Sequence, residues 1–208
     1  MLVRAPSSPR FAYVLAHGAG AGMRHPFMES IAEALEDRGV ATLRYEFAYM
    51  EAGRNRTDPP AVAAARVREA VAAARTEWPG LPLVAGGKSF GGRMTSTAQA
   101  EQPLEGVRGL AFLGFPLHPP GRPGTSRADH LLQVPVPMLF LQGSRDEFAQ
   151  PDLLASVTGK LGTLATVHLI PDGDHSFKVP KKSGRTAAQV MAELADQIAA
   201  FGGALAGT

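Results

Sequence analysis

The chain has 208 residues, 45% of them hydrophobic, which suits one domain with a substantial core and leaves too little for a second full domain. It contains no cysteine, which excludes disulfides, thiolate nucleophiles, iron–sulfur clusters and cysteine-ligated zinc. A formal net charge of +2 falls far short of a density that would by itself argue for nucleic acid.

No run approaches the roughly 18 apolar residues of a membrane span, and "MLVRAPSSPRFAYVLAHG" lacks the apolar centre of a secretory signal, so the chain reads as soluble and cytoplasmic with no membrane partner. Short runs rich in Val, Leu and Phe alternate with Ala-rich helical segments. That alternation predicts an α/β fold, a three-layer sandwich around a mostly parallel sheet. In chain order, the strand "FAYVLAHG" leads to a helix near 27–38 carrying Ile31 and Leu35 and stopped by Gly39. The strand "VATLRYEF" follows. After the loop "EFAYMEAGRNRTDPP", Pro59 and Pro60 open a helix over 59–78 that Pro79 and Gly80 end. Next come the strand "LPLVAGG", a helix over 90–101, the strand "VRGLAFLGFP" and a loop from Pro116 to Gly124. A helix over 126–133, the strand "VPMLFLQG", a helix over 150–160, the strand "ATVHLIP" and a helix over 184–201 complete the pattern. The terminal "GGALAGT" is expected to fray. With no repeat and no linker, residues 1–208 read as a single domain.

In an open parallel sheet ligands collect at the carboxyl ends of the strands, so polar residues just after strands carry the functional signal. Gly87, Ser89 and Gly91 form G-x-S-x-G between a strand and a helix. A sharp elbow there needs little bulk on either side of the serine. The rival phosphate loop G-x-x-x-x-G-K-[ST] requires glycine at position 82, where Pro82 stands. A serine nucleophile needs a base and an orienting acid, expected in the order Ser, acid, His. "SRDEF" places Asp146 just past one strand, and "DGDHSF" places His175 past the next. Glu147, Asp172 and Asp174 compete for the acid. His168 reads as structural, His130 falls in a helix, and His25 and His118 read as loop residues, solvated or beside substrate.

An acyl-transfer site also needs two backbone N–H groups for the oxyanion, assigned to Phe90 and to Ala19 of "LAHGAGAGM", with Gly20 as the alternative to Ala19. A dinucleotide turn is poorly matched there, because Met23 replaces the third glycine of G-x-G-x-x-G. Phe47, Tyr49, Met50, Arg54 and Arg93 are the expected substrate-binding residues. No metal or organic cofactor is indicated, since His and carboxylate spacings show no convincing ligand set.

Together "HGAG", "GKSFGG", "GSRDEF" and "DGDHSF", in that order across nearly the whole chain, resemble the α/β-hydrolase superfamily. More narrowly, "HGAGAGM", "GKSFGGRM" and "RYEFAYMEAGR" look like the small hydrolases of the testis-expressed and KANL-complex branch, similar in turn to dienelactone hydrolases. The resemblance implies a serine hydrolase with Ser89, Asp146 and His175 at the nucleophile, acid and base positions. Serine where dienelactone hydrolases carry cysteine favours ester, thioester or amide chemistry. Only about ten residues precede "FAYVLAHG", so the superfamily's opening antiparallel hairpin is expected to be truncated or absent. No insertion is large enough for a lid, which implies a shallow, open pocket.

The small-molecule substrate class has one clue. Arg24, Arg54, Arg56, Arg93, Arg122, Arg127, Lys178, Lys181, Lys182 and Arg185 fall in or just after loops at the carboxyl ends of strands. This basic rim either favours anionic esters or thioesters or is simply a solvated edge. An inactive hydrolase fold that binds a partner protein is the reading from another class. The oligomeric state is left open.

Overall fold

Strands made mostly of apolar residues on both faces are stable where both faces are covered. β2 (Phe11–Ala16), β3 (Val40–Tyr45) and β6 (Met138–Gly143) are buried along their whole length in the computed structural model, which describes residues 1–207. With β4 (Leu83–Lys88), β5 (Val107–Leu113) and β7 (Ala165–Ile170) they pair in parallel. The seventh strand, β1 (Leu2–Arg4), lies antiparallel to β3 with Val3 opposite Leu43, so the opening hairpin is reduced to one short edge strand. Strand order is β1-β3-β2-β4-β5-β6-β7.

The two-residue period of β2 divides the core. Phe11, Tyr13 and Leu15 face α1 (Pro26–Glu36) and α6 (Ala187–Ala206), where Met28, Ile31, Leu35, Leu194 and Ile198 meet them. Ala12, Val14 and Ala16 face the opposite layer of α3 (Pro60–Glu77), α4 (Phe90–Glu101) and α5 (Pro151–Leu161). α3 starts on Pro60 and buries Ala63, Ala64, Val67, Ala70, Val71 and Ala74, a stripe of small residues. A reciprocal cap between Thr186 and Gln189 begins α6.

Three expectations change. The segment Ser126–Gln133 is a 3-10 helix, and the long loop after β3 contains a short helix, α2 (Ala48–Glu51). The terminal "GGALA" does not fray. It continues α6 to Ala206 because Gly202 lies flat on Phe11, where a methyl group would stand 2.2 Å from the ring. Among the described residues no helix is long and apolar enough to cross a membrane, and no lid domain is inserted.

After β2 the chain places β3 on one side, then crosses to β4 on the other. The carboxyl ends of β2 and β4 therefore flank a switch point, where diverging loops leave a crevice. "HGAG" follows β2 and "GKSFGG" spans the end of β4.

Candidate active site

Ser89 sits between β4 and α4 with φ 49° and ψ −113°, a conformation that residues with a Cβ rarely adopt. The turn is held from both sides. A methyl on Gly87 would lie 2.1 Å from the Ala16 carbonyl oxygen, and one on Gly91 would lie 2.5 Å from that of His17. Only glycine at both positions lets β4 and α4 press this closely on the end of β2.

The Ser89 hydroxyl donates to His175 Nε2 at 2.9 Å, and His175 Nδ1–H donates to Asp146 Oδ2 at 2.7 Å. A carboxylate accepts only, so it selects the tautomer that leaves Nε2 free to accept. Asp146 is buried at 2% exposure. It receives the Phe148 N–H at 2.8 Å and the side-chain amide of Gln142, whose oxygen in turn accepts the Phe115 N–H at 2.9 Å. The Phe148 ring lies 4.4 Å from the imidazole centroid. Of the competing acids, Asp174 accepts the N–H groups of Ser176 and Lys178 and so shapes the histidine loop, while Glu147 is exposed.

The loop after β2 is fixed by His17, which is fully buried. Its Nδ1–H donates to the Gly18 carbonyl at 2.8 Å, and its Nε2 accepts the Phe47 N–H at 3.1 Å. Burial lowers its pKa and favours the neutral ring that this pattern requires. Since the peptide is planar and trans, anchoring the Gly18 carbonyl sets the direction of the Ala19 N–H. The Gly20 N–H is already donated to the Tyr49 hydroxyl at 2.9 Å. Among the described residues, the Ala19 and Phe90 amides have no acceptor, and both residues line the cleft beside Ser89.

That cleft has a volume of about 630 Å³. Of the five residues expected to bind substrate, Arg93 lines it and the others do not. Phe47, the residue that precedes α2, is buried between His17, Tyr45 and Phe90. Tyr49 holds the Gly20 amide, Met50 packs beside Gly22, and Arg54 pairs with Asp58 at 3.1 Å. The basic rim is likewise divided: Arg93, Arg127 and Lys178 reach the cleft, whereas Arg54 and Arg185 are paired with Asp58 and Glu193. His118 is no solvated loop residue but is buried, with Nε2 at 2.6 Å from Gln150 Oε1. His25 caps α1 and lines the cleft.

From sequence, Lys88 is weighed as the lysine of a phosphate loop, and Gln142 and Phe148 are passed over. Gln142 had a usable signal, a polar side chain closing an otherwise apolar strand, since buried polar groups take partners. Lys88 is the larger correction. Its Nζ donates to the His175 carbonyl at 2.6 Å and stands 5.4 Å from the centroid of Phe177. Burial pushes its pKa down to about 8, against the opposing pull of Asp146 and Asp174. The folded value lies below the unfolded one, so between about pH 8 and 10.5 the unfolded chain holds more protons and stability rises with pH. Urea unfolding of wild type and Lys88→Met at several pH values isolates this group. The difference is expected to move in favour of wild type by about 3 kcal/mol across that window.

A family model for the alpha/beta hydrolase domain matches residues 9–203. The chain belongs to that family. Among solved structures, an α/β serine hydrolase without lid from Xanthomonas campestris is 22% identical, with a TM-score of 0.74 over 96% of this chain and 87% of that one. A dienelactone hydrolase from Anabaena variabilis is 21% identical, with a TM-score of 0.72 over 95% of this chain and 87% of that one. The esterase domain of a Rhodothermus marinus protein is 15% identical, with a TM-score of 0.70 over 97% and 91%. At these identities the likeness is one of fold.

Proposed function

We propose that the protein is a serine hydrolase that cleaves a carboxylic ester or thioester through an acyl-enzyme. The observation that carries this reading is the unbroken hydrogen-bonded line from the Ser89 hydroxyl through His175 to Asp146, opening on the cleft. In this reading Ser89 Oγ forms a bond to the carbonyl carbon while its proton passes to His175 Nε2. Asp146 stabilises the imidazolium. The developing oxyanion is received by the N–H groups of Phe90 and Ala19, each worth about 3–4 kcal/mol by analogy with known donor removals. Collapse breaks the bond to the alcohol or thiol, which takes the proton from His175. Water then gives its proton to the same nitrogen and attacks the acyl carbon; the bond from that carbon to Ser89 Oγ breaks, Oγ takes the proton back from His175, and the acid leaves. Assignment to the testis-expressed and KANL-complex branch belongs to the same proposal, on the strength of "HGAGAGM" and "GKSFGGRM".

A fluorophosphonate probe tests the reading directly, because Ser89 Oγ would displace fluoride from phosphorus. Stoichiometric labelling of wild type that is lost in Ser89→Ala is the expected result. Well-folded wild type that takes no label would instead indicate a hydrolase fold used for binding.

A further inference from the structure

Outside the reacting groups, the most unusual feature of the cleft is its charge. Lys88, Arg93, Arg127 and Lys178 line it, and among the described residues no Asp or Glu does. Elsewhere the partly buried arginines have carboxylates: Arg4 meets Glu29 and Glu36, Arg44 meets Glu29, and Arg66 meets Glu51 and Glu69. Arg93 departs from that rule. Its guanidinium makes no hydrogen bond or ion pair among the described residues, and its Nε is buried without a partner. A buried N–H of a charged group left unpaired is costly, and such gaps in a cleft mark where a ligand completes the set.

The placement of Arg93 is equally specific. It is the fourth residue after Ser89, its N–H donates to the Ser89 carbonyl at 3.1 Å, and it occupies the same side of α4 one turn on. Its guanidinium carbon stands 5.9 Å from the centroid of Phe90, which keeps it beside the reacting serine. Arg127 approaches from the 3-10 segment, fixed by an N–H donated to the His118 carbonyl at 3.1 Å and, among the described residues, with no carboxylate of its own. The two cations repel, and burial together with Arg127 lowers the pKa of Arg93. The next basic group offers no counterion: His130 Nε2 is bonded to Ser96 Oγ at 2.7 Å, and burial with the nearby Arg93 pushes its pKa down to about 4. Two guanidinium groups lining one cleft, close enough for each to feel the other's charge, suit an oxyanion, whose oxygens accept from planar N–H forks.

We infer that Arg93 and Arg127 form an anion subsite, one helical turn from Ser89, that receives a carboxylate or phosphoryl group of the substrate. The inference rests on the hydrolase reading for the word substrate; the anion site itself does not. Bound there, the anion relieves the repulsion between the two arginines and fixes the carbonyl relative to Ser89, so its effect falls on kcat/KM.

The test compares p-nitrophenyl monoadipate with p-nitrophenyl hexanoate. Wild type is expected to favour the acidic ester at least tenfold at low salt, and this preference should shrink as salt rises. Arg93→Met and Arg127→Met should each lower the acidic-to-neutral ratio at least tenfold, and Arg93→Lys should lower it less. Lys160→Met, which removes the same unit of charge from the exposed end of α5, should keep the ratio. Glutarate and inorganic phosphate, as competitive inhibitors, tell a carboxylate site from a phosphoryl one by their relative potency. A wild-type ratio near one, or a ratio unmoved by Arg93→Met, would overturn the subsite. If wild type cleaves neither ester and takes no fluorophosphonate, the hydrolase reading fails by itself. Calorimetric binding of glutarate and phosphate then decides the subsite: binding that Arg93→Met abolishes sustains it, and absence of binding removes it.

Discussion

Ser89→Ala is expected to lower kcat/KM toward p-nitrophenyl butyrate by about 10⁴–10⁶-fold while leaving the fold intact. The size follows from what the hydroxyl does in the proposed reaction. Without it there is no covalent intermediate, and His175 can at best activate water held less precisely by the Ala19 and Phe90 amides. The stability cost is small because, among the described residues, Ser89 Oγ makes a single hydrogen bond, to His175 Nε2, on the open side of the site. The strained backbone at φ 49° is present with either side chain, since both carry a Cβ. The unfolding midpoint in urea should therefore shift by less than about 1 kcal/mol equivalent. His175→Ala is expected to cost about as much as Ser89→Ala, and the double variant little more than either alone, because the two act as one unit. Asp146→Asn should cost about 10³–10⁴-fold, since an amide next to Nδ1 no longer enforces the required tautomer. Steady-state kinetics with burst-phase detection of nitrophenol would measure all four. Retention of more than a tenth of wild-type activity by Ser89→Ala would remove the nucleophile assignment.

The elements that could be read from the sequence were those governed by local chemistry. Apolar runs give strands because a doubly covered sheet buries both faces, and Pro60 marks a helix start because the N–H it lacks would have no partner there. The line of Ser89, His175 and Asp146 was legible for a related reason: each residue follows a strand, and topology alone gathers strand ends. The cleft wall was not legible. Whether Tyr49 faces substrate or holds the Gly20 amide depends on the four-residue helix α2, too short to leave a periodic signal, and on the direction in which it enters. The same holds for the arginines. Composition counts them as equivalent rim charges, but Arg54 is paired by Asp58, four residues on, while Arg93 meets no acid among the described residues. Pairing is a tertiary property, and it separates a solvated edge from a recognition surface. Lys88 shows the converse: its position beside Ser89 drew attention to phosphate loops, whereas the fold buries it to hold the backbone of His175.

Gly91→Ala is expected to damage both stability and activity from a single methyl group. The added carbon would lie 2.5 Å from the His17 carbonyl oxygen, 2.7 Å from Ala16 Cβ and 2.8 Å from the Ala16 carbonyl carbon. Two of these three are backbone atoms, at the last residue of the central strand β2 and the residue after it, so no side-chain rotation relieves the clash and either α4 or the strand end must move. Overpacking in a close-packed core costs about 1–3 kcal/mol, and a rigid backbone neighbour puts this case at or above the upper end. The movement also has a direction that matters for chemistry. His17 anchors the Gly18 carbonyl and so orients the Ala19 amide, while Phe90 precedes Gly91 on the elbow. Forcing β2 and α4 apart separates the two proposed oxyanion donors, and a displacement of about 1 Å at a reacting centre costs on the order of 100-fold. Urea denaturation should accordingly register a loss of about 3 kcal/mol, and the second-order rate of fluorophosphonate labelling should fall about 100-fold in protein that remains folded. The contrast is Gly124→Ala, on an open loop where a methyl group would meet nothing within 4 Å, which should leave the unfolding midpoint unchanged. If Gly91→Ala keeps wild-type labelling rates at wild-type stability, the elbow does not depend on close approach to β2, and the oxyanion donors are not set by that contact.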